Sequence, residues 1–231
     1  AFRYFRIDIA EAITLTGQLA LRYVSAKVDE YLNKLCGTKD VVYAIYGDTD
    51  SIYVTLDNWV KVNNIDESDP NKVIDIMDDF VNKDLSPFIC DTNEDLSKYI
   101  GAKENLLIMK REALGDSMIF RGKKNYIIQV YDNEFVRYSK PKIKMMGVET
   151  AKSSTAMIIR KKLEECFNIV INKDTHEPLQ LKEMVDDFRK EFDEVDIVTI
   201  ASPRGIKDID KWIDEKGNIL SGCPIHVRAA I

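Results

Sequence analysis

Apolar residues recur near helical spacing through residues 8–36, DIAEAITLTGQLALRYVSAKVDEYLNKLC, where Ile13, Ala20, Leu21 and Val24 are followed by Val28, Tyr31, Leu32 and Leu35. Gly37 stands where a C-terminal stop is expected, so the spacing predicts one long helix. The period then shortens. VVYAIY at 41–46 and SIYVTL at 51–56 read as strands joined through GDTD, a hairpin with an acidic tip. Residues 57–69 read as loop or short helix. Asp69-Pro70 supplies a cap and a first-turn proline for a helix to about Leu85, ended by Ser86-Pro87. Asp91 and Glu94 have capping-box spacing and predict a short helix to Tyr99 or Ile100.

From Asn105 the pattern predicts strands: LLIMKREAL, SMIF and NYIIQVY, then a polar turn at Asp132-Asn133 and EFVRY. From Thr155 it returns to helices, TAMIIRKKLEECFNIVI and LQLKEMVDDFRKEFDEV. VDIVTIA reads as a strand, and the tail with Gly217, Gly222 and Pro224 as irregular. No internal repeat and no low-complexity tract interrupts the chain. The change of period puts a boundary near Gly147. The expected fold class is α+β: an antiparallel sheet with packed helices over 1–147, then a mainly helical portion over 148–231.

Composition alters this picture little. The chain has 231 residues, 45% hydrophobic and 31% charged, enough to bury a core in one or two domains. No apolar run approaches the roughly 20 residues that span a bilayer, and the start lacks a signal-peptide layout. The first residue is Ala1 rather than Met, which reads as a piece of a longer polypeptide. Cys36, Cys90, Cys166 and Cys223 are scattered without metal spacing, so they read as reduced packing residues and the location as cytoplasmic. Net charge is −6, but residues 57–101 hold eleven acids against four bases and residues 102–147 ten bases against five acids. A basic stretch of that kind can face phosphates on an otherwise acidic chain, although charge imbalance more often marks a solvated surface.

The acidic tip carries the chemistry. Asp48 and Asp50 repel one another unless a cation lies beside them, and all-oxygen ligands suit Mg²⁺ or Mn²⁺. A helix–loop–helix calcium site is excluded, because counting from Asp48 puts Tyr53 where glycine is required and Trp59 where glutamate is required. Aspartate in a turn also bonds its own backbone, which is the simpler reading of a bare Asp-x-Asp. Gly47 lets the turn form without crowding, Thr49 and Ser51 can bond its backbone, and alternation sends Ile52 and Val54 to one face and Tyr53 to the other.

YGDTDSIYV, residues 46–54, resembles the third polymerase motif of family B DNA polymerases. Other stretches extend the resemblance in order along the chain: FRYF at 2–5, AITLTGQ at 12–18, EYLNKLCGT at 30–38, Glu112 in MKREA, Lys123-Lys124-Asn125-Tyr126, KIKMMGVETAKSST at 142–155 and CPIHVRAAI at the end. Together they are similar to the replicative polymerases of T-even-type bacteriophages, with 1–147 the later part of a palm and 148–231 an incomplete thumb. The resemblance implies nucleotidyl transfer with two Mg²⁺ or Mn²⁺ ions in the complete site. It implies Asp50 as a metal ligand, Asp48 as its partner and Glu112 as a nearby third acid. Lys124 and Tyr126, placed on one strand face beside Lys123, would test the minor groove of the nascent pair without reading sequence. Lys140, Lys142 and Lys144 would form a same-side row on phosphates, Gly147 the passage into the thumb, and His226 and Arg228 contacts to the duplex backbone. The partners implied are primer–template DNA, deoxynucleoside triphosphates and an upstream polymerase portion; the setting is a host cytoplasm, with no membrane.

The first metal motif, the fingers motif and an exonuclease domain have no counterpart in these residues. The chain alone is therefore expected to be inactive. Two other readings remain open: a non-catalytic duplex-DNA-binding module, or one subunit of a split polymerase. A magnesium-dependent nucleotidyltransferase of another family would account for the hairpin but not for Lys124-x-Tyr126.

Overall fold

The computed structural model describes residues 6–152, 155–172, 178–201 and 205–231, the side chains of 198 and 199 excepted. FRYF at 2–5 lies outside the described residues. The chain divides into two compact units, Ala1–Lys144 and Met145–Ile231. Its helices and two small antiparallel sheets make the fold α+β.

The first unit is built on α1, Ile7–Cys36. Ala20, Val24, Val28, Leu32 and Cys36 recur every fourth residue and form its buried seam. Val24, Val28 and Leu32 are fully buried, each contributing about 1.5–3 kcal/mol. Gly37 ends the helix in the left-handed region at φ 64°, its N–H donating to the Asn33 carbonyl, as the sequence predicts. Two polar side chains on α1 then fix the chain that follows. The Asp29 carboxylate accepts from the backbone N–H groups of Tyr43 and Ala44, and the Asn33 amide bonds both N–H and C=O of Val41. These bonds hold the start of β1 (Ala44–Asp48) against the helix. β1 pairs antiparallel with β2 (Ser51–Val54), the expected hairpin.

Helix α2 (Asp57–Val62) follows, with Trp59 and Val60 buried. Next come α3 (Pro70–Phe80), capped by Asp69 through the Asn71 N–H, and α4 (Ser86–Tyr99). The sequence pattern ends the first of these at Ser86-Pro87 and restarts at Asp91; the structure runs on without a break. A π-helical turn at Val81–Leu85 joins the two, with the Ser86 N–H reaching the Val81 carbonyl five residues back. The wider turn accommodates the ring of Pro87 and its missing donor, so no new cap is needed at Asp91.

The second sheet is a meander of β3 (Ala113–Gly122), β4 (Asn125–Asn133) and β5 (Val136–Met146). Three expectations change here. Residues 105–112 are irregular rather than strand, and one strand replaces the two expected around SMIF. The turn falls at Glu134-Phe135, both at positive φ, instead of Asp132-Asn133. β5 continues through Pro141 to Met146, which an edge strand tolerates because it has an unpaired side. One buried cation explains the first two. Arg111 is 3% exposed and bridges Asp78 of α3, 2.9 Å from Nε, and Asp132 of β4. Asp132 is thereby drawn into the interior, and the Phe135 ring covers the guanidinium at 4.3 Å. Arg137 of β5 also reaches α3 through Asp75, at 2.6 Å.

In the second unit α5 (Met157–Ile171) packs against α6 (Pro178–Asp193) and α7 (Ile197–Ile200), with Cys166 and Ile171 buried on α5. The stretch VDIVTIA, expected as a strand, forms the short α7. No strand lies beside it among the described residues, and Ala201 N–H bonds the Ile197 carbonyl in helical register. The tail is irregular as expected, closing on α8 (Ile225–Arg228) over buried Val227. Cys36, Cys166 and Cys223 are buried and unpaired, and Cys90 is exposed. Among the described residues no helix is long and apolar enough to cross a membrane.

Removing the Arg111 side chain leaves buried Asp132 with only the more distant Arg137 Nε, at 3.8 Å, as a cationic partner. Arg111→Ala is expected to cost about 3–5 kcal/mol in urea unfolding. Lys83→Ala, which breaks an exposed pair with Asp79, should cost about 0.5 kcal/mol or less. Equal costs would contradict the buried-strut reading.

Candidate active site

The acidic tip is set by a tight reversal between Asp48 and Ser51, which pair across the hairpin. The Asp50 N–H reaches back 2.6 Å to the Asp48 carbonyl, which also accepts the Ser51 hydroxyl at 3.1 Å. The residue between, Thr49, is β-branched yet sits at φ 57°, a strain of order 1–3 kcal/mol. Its hydroxyl donates to the Asp48 carboxylate at 3.0 Å. Asp50 is exposed at the tip, while only 23% of the Asp48 side chain is open to solvent. Gly47 does not serve the turn through a positive φ; a Cβ there would lie 2.7 Å from Leu21 Cδ2 on α1, the end of a side chain that would have to shift to admit it. Ile52 and Val54 pack onto the core beside Tyr43 and Trp59, and Tyr53 points the other way, as alternation predicts.

Tyr53 enters an aromatic dock between the two hairpins. Tyr46 of β1, Tyr53 of β2, Phe120 of β3 and Tyr126 of β4 stack edge-on or tilted, with ring centroids 5.0 to 6.4 Å apart. Such pairs each add about 0.5–1.5 kcal/mol beyond the area they bury. The Tyr53 and Tyr126 hydroxyls hydrogen-bond at 2.6 Å. Burial first, then that bond, and the nearby Glu112 carboxylate hold the Tyr53 phenol well above its usual range. The sequence signal for the dock is present, an aromatic at alternate positions of adjoining strands. Nothing in the sequence states that the two hairpins meet.

The dock brings the β3–β4 turn to the acidic tip. Gly122 pairs with Asn125, so Lys123 and Lys124 form a two-residue loop. Lys124 sits at φ 56° and donates its backbone N–H to the Tyr46 hydroxyl at 2.9 Å. Its ammonium lies 3.1 Å from Asp48 Oδ1. The expectation that Lys124 and Tyr126 share a strand face is therefore corrected. The chain reverses at Lys124, so Tyr126 is buried in the dock while the Lys124 side chain, 60% exposed, turns to Asp48. The Lys124 bond first, with help from Thr49 and the charge of Lys123, holds the Asp48 carboxyl below the usual range.

The other candidate residues lie elsewhere. Glu112 precedes β3 by one residue and binds the Lys144 ammonium at 2.6 Å. Among the described residues no three histidine, cysteine or acidic side chains come together as a metal set, so Glu112 does not complete one with Asp48 and Asp50. Lys140, Lys142 and Lys144 do alternate along β5, with the Lys142 ammonium 4.1 Å over the Tyr138 ring. Gly147, at φ 65°, and exposed His226 and Arg228 belong to the second unit.

Two oxygen-rich acids at a bend, one of them already holding a cationic nitrogen, fit a hard divalent ion as part of a ligand set. The Asp48 contribution to stability is complete above the usual carboxylate pKa. It fades as pH falls through the depressed folded value. In Lys124→Ala the Asp48 carboxyl, followed by carbon NMR, should titrate at higher pH than in the parent. An unmoved titration would mean that Lys124 is not its main partner.

No family model matches the chain. All of it aligns with two curated proteins, each described as a DNA-directed DNA polymerase: that of Enterobacteria phage T4, at 34% identity, and that of Escherichia phage RB69, at 37%. In each case the chain spans 26% of the relative's length, about a quarter. From its first residue to its last, this chain is thus similar to a portion of the DNA-directed DNA polymerases of phages T4 and RB69.

Proposed function

We propose that the chain is the later palm (1–147) and incomplete thumb (148–231) of a family B DNA-directed DNA polymerase, and that it works only together with an upstream portion. The observation that carries this reading is the strained, aromatic-braced turn in which Asp48 already holds a cation, at the point where the chain matches the phage polymerases. Asp50 and Asp48 would hold Mg²⁺ or Mn²⁺, two ions in a complete site, with Glu112 a more distant acid. Bound there, the ions would lower the pKa of a primer 3′-hydroxyl and stabilise the departing pyrophosphate.

The remaining residues bind and orient. β1 and β2 carry the two carboxylates on strands whose inner face is anchored in the core, so the acids do not wander as charge builds up. Lys123 and Lys124, presented at a bend, are suited to the edges and phosphates of a nascent duplex. Tyr126 holds that bend from beneath, through Tyr53, rather than touching bases itself. Lys140 and Lys142 on β5 offer charge for the duplex backbone; Lys144 does so less freely because Glu112 binds it. Gly147 would form the passage into the thumb, and Arg228 would reach the duplex backbone. The substrates are primer–template DNA and deoxynucleoside triphosphates.

Two carboxylates supply too few ligands for two octahedral ions, so the isolated chain should not extend a primer. Mixed with an upstream polymerase portion that carries the first metal motif and the fingers, it should support template-directed extension. Asp50→Ala should then lower extension on the order of a hundred- to a thousandfold while DNA binding persists. Duplex binding with no extension in any mixture would favour the non-catalytic binding module instead.

A further inference from the structure

We infer that the first half of α1, residues 7–19, is the docking surface for the upstream polymerase portion, which on seating there is brought against the Asp48–Asp50 turn. The inference rests on the proposed need for such a portion and adds where it binds.

α1 changes character at Ala20. From there to Cys36 it buries one seam. Before it the helix is bare: every residue from 7 to 19 except Gly17 is exposed, with Ile7, Ile9, Ile13, Leu15 and Leu19 at 42–65%. Ile9, Ile13 and Gly17 carry the seam onward at four-residue spacing. Two residues after Ile13, and so well round a 3.6-residue turn, Leu15 starts a second row with Leu19. A helix packed on one side needs one apolar stripe; a helix apolar on several sides is buried. Only Asp8 and Glu11 are charged in this stretch, and Asp8 pairs with Arg6. Intrinsic preference does not hold it helical either. Ile9, Ile13, Thr14 and Thr16 are β-branched, and Gly17 is a poor helix former. A segment this short is marginal in water without packing.

Position and charge select the occupant. Asp29 of α1 binds the N–H groups of Tyr43 and Ala44, and eight residues earlier the end of Leu21 approaches Gly47. β1 therefore runs beside α1 in the opposite direction, and Leu19 comes level with the acidic turn. At 1.5 Å per residue, residues 7–18 extend roughly 18 Å past it. Whatever covers them stands beside the two carboxylates. Residues 7–19 hold no lysine or arginine, which suits neither DNA nor a lipid surface. A second copy would bring the same acids with no cation to face them. An apolar face of the upstream portion fits, and the matched polymerases hold the chain to supply it, since only 26% of their length corresponds to this chain.

Calorimetric titration of the full chain with RB69 polymerase truncated before the segment that this chain matches, together with amide hydrogen exchange, tests this without any need for activity. In the chain alone residues 7–19 should exchange faster than 24–36, and the complex should slow them about tenfold or more. Ile13→Asp combined with Leu19→Asp should weaken binding about a hundredfold while leaving the urea midpoint of the chain unchanged. Gln18→Asp puts the same charge on the polar side, with Glu11 and Thr14, and should bind as the parent does. Parent-like binding by the double variant, or protection confined to other residues, overturns the surface and leaves the proposed function standing. An equal loss in Gln18→Asp overturns the role of the apolar rows. A dimer of the chain alone that protects residues 7–19 overturns the choice of occupant. No complex with the parent overturns the surface together with the reading on which it rests.

Discussion

The contact on which the site depends is the docking of one β-hairpin on another through four aromatic rings and one hydroxyl pair. Tyr46 and Tyr53 from the acidic hairpin meet Phe120 and Tyr126 from the basic one, and the Tyr53 and Tyr126 hydroxyls close the contact. Remove the dock and Asp48 has a flexible loop somewhere nearby. Keep it and Asp48 has an ammonium at 3.1 Å. The rings give stiffness at low entropic cost, since each fixes few torsions while burying a large area.

That stiffness is set against two costs at the tip. Like charges on Asp48 and Asp50 repel, and Thr49 holds a backbone conformation that β-branched residues avoid. Both are borne by the scaffold behind: Asp29 and Asn33 of α1 grip the chain entering β1, and Ile52 and Val54 anchor the return strand. Strain concentrated where chemistry is expected, and absorbed by packing elsewhere, is how a rigid support presents charged groups. Arg111 does a comparable service for the second sheet by tying it to α3.

Much of this was legible in the residues. The seam of α1, its glycine stop, the Asp69-Pro70 helix start and the acidic hairpin follow from local periodicity and capping chemistry. Apart from VDIVTIA, which forms a short local helix, the errors share a cause: each is settled by a contact distant in sequence or by a rare backbone form. Pro87 reads as a stop because local rules do not foresee a π-turn. Asp132 reads as a surface turn because its partner, Arg111, lies 21 residues away. Lys124 reads as a strand residue because the reversal is a two-residue loop built on lysines, with no glycine or asparagine at the positive-φ position. The aromatic dock was invisible for the same reason, since Tyr53 and Tyr126 are 73 residues apart.

The similarity to phage polymerases and the geometry of the turn meet at Asp48 and Asp50. Anomalous diffraction from crystals of the chain soaked in Mn²⁺ addresses that meeting point most directly. The account predicts a peak within ligand distance of the Asp48 and Asp50 carboxylates. Manganese bound elsewhere would contradict it.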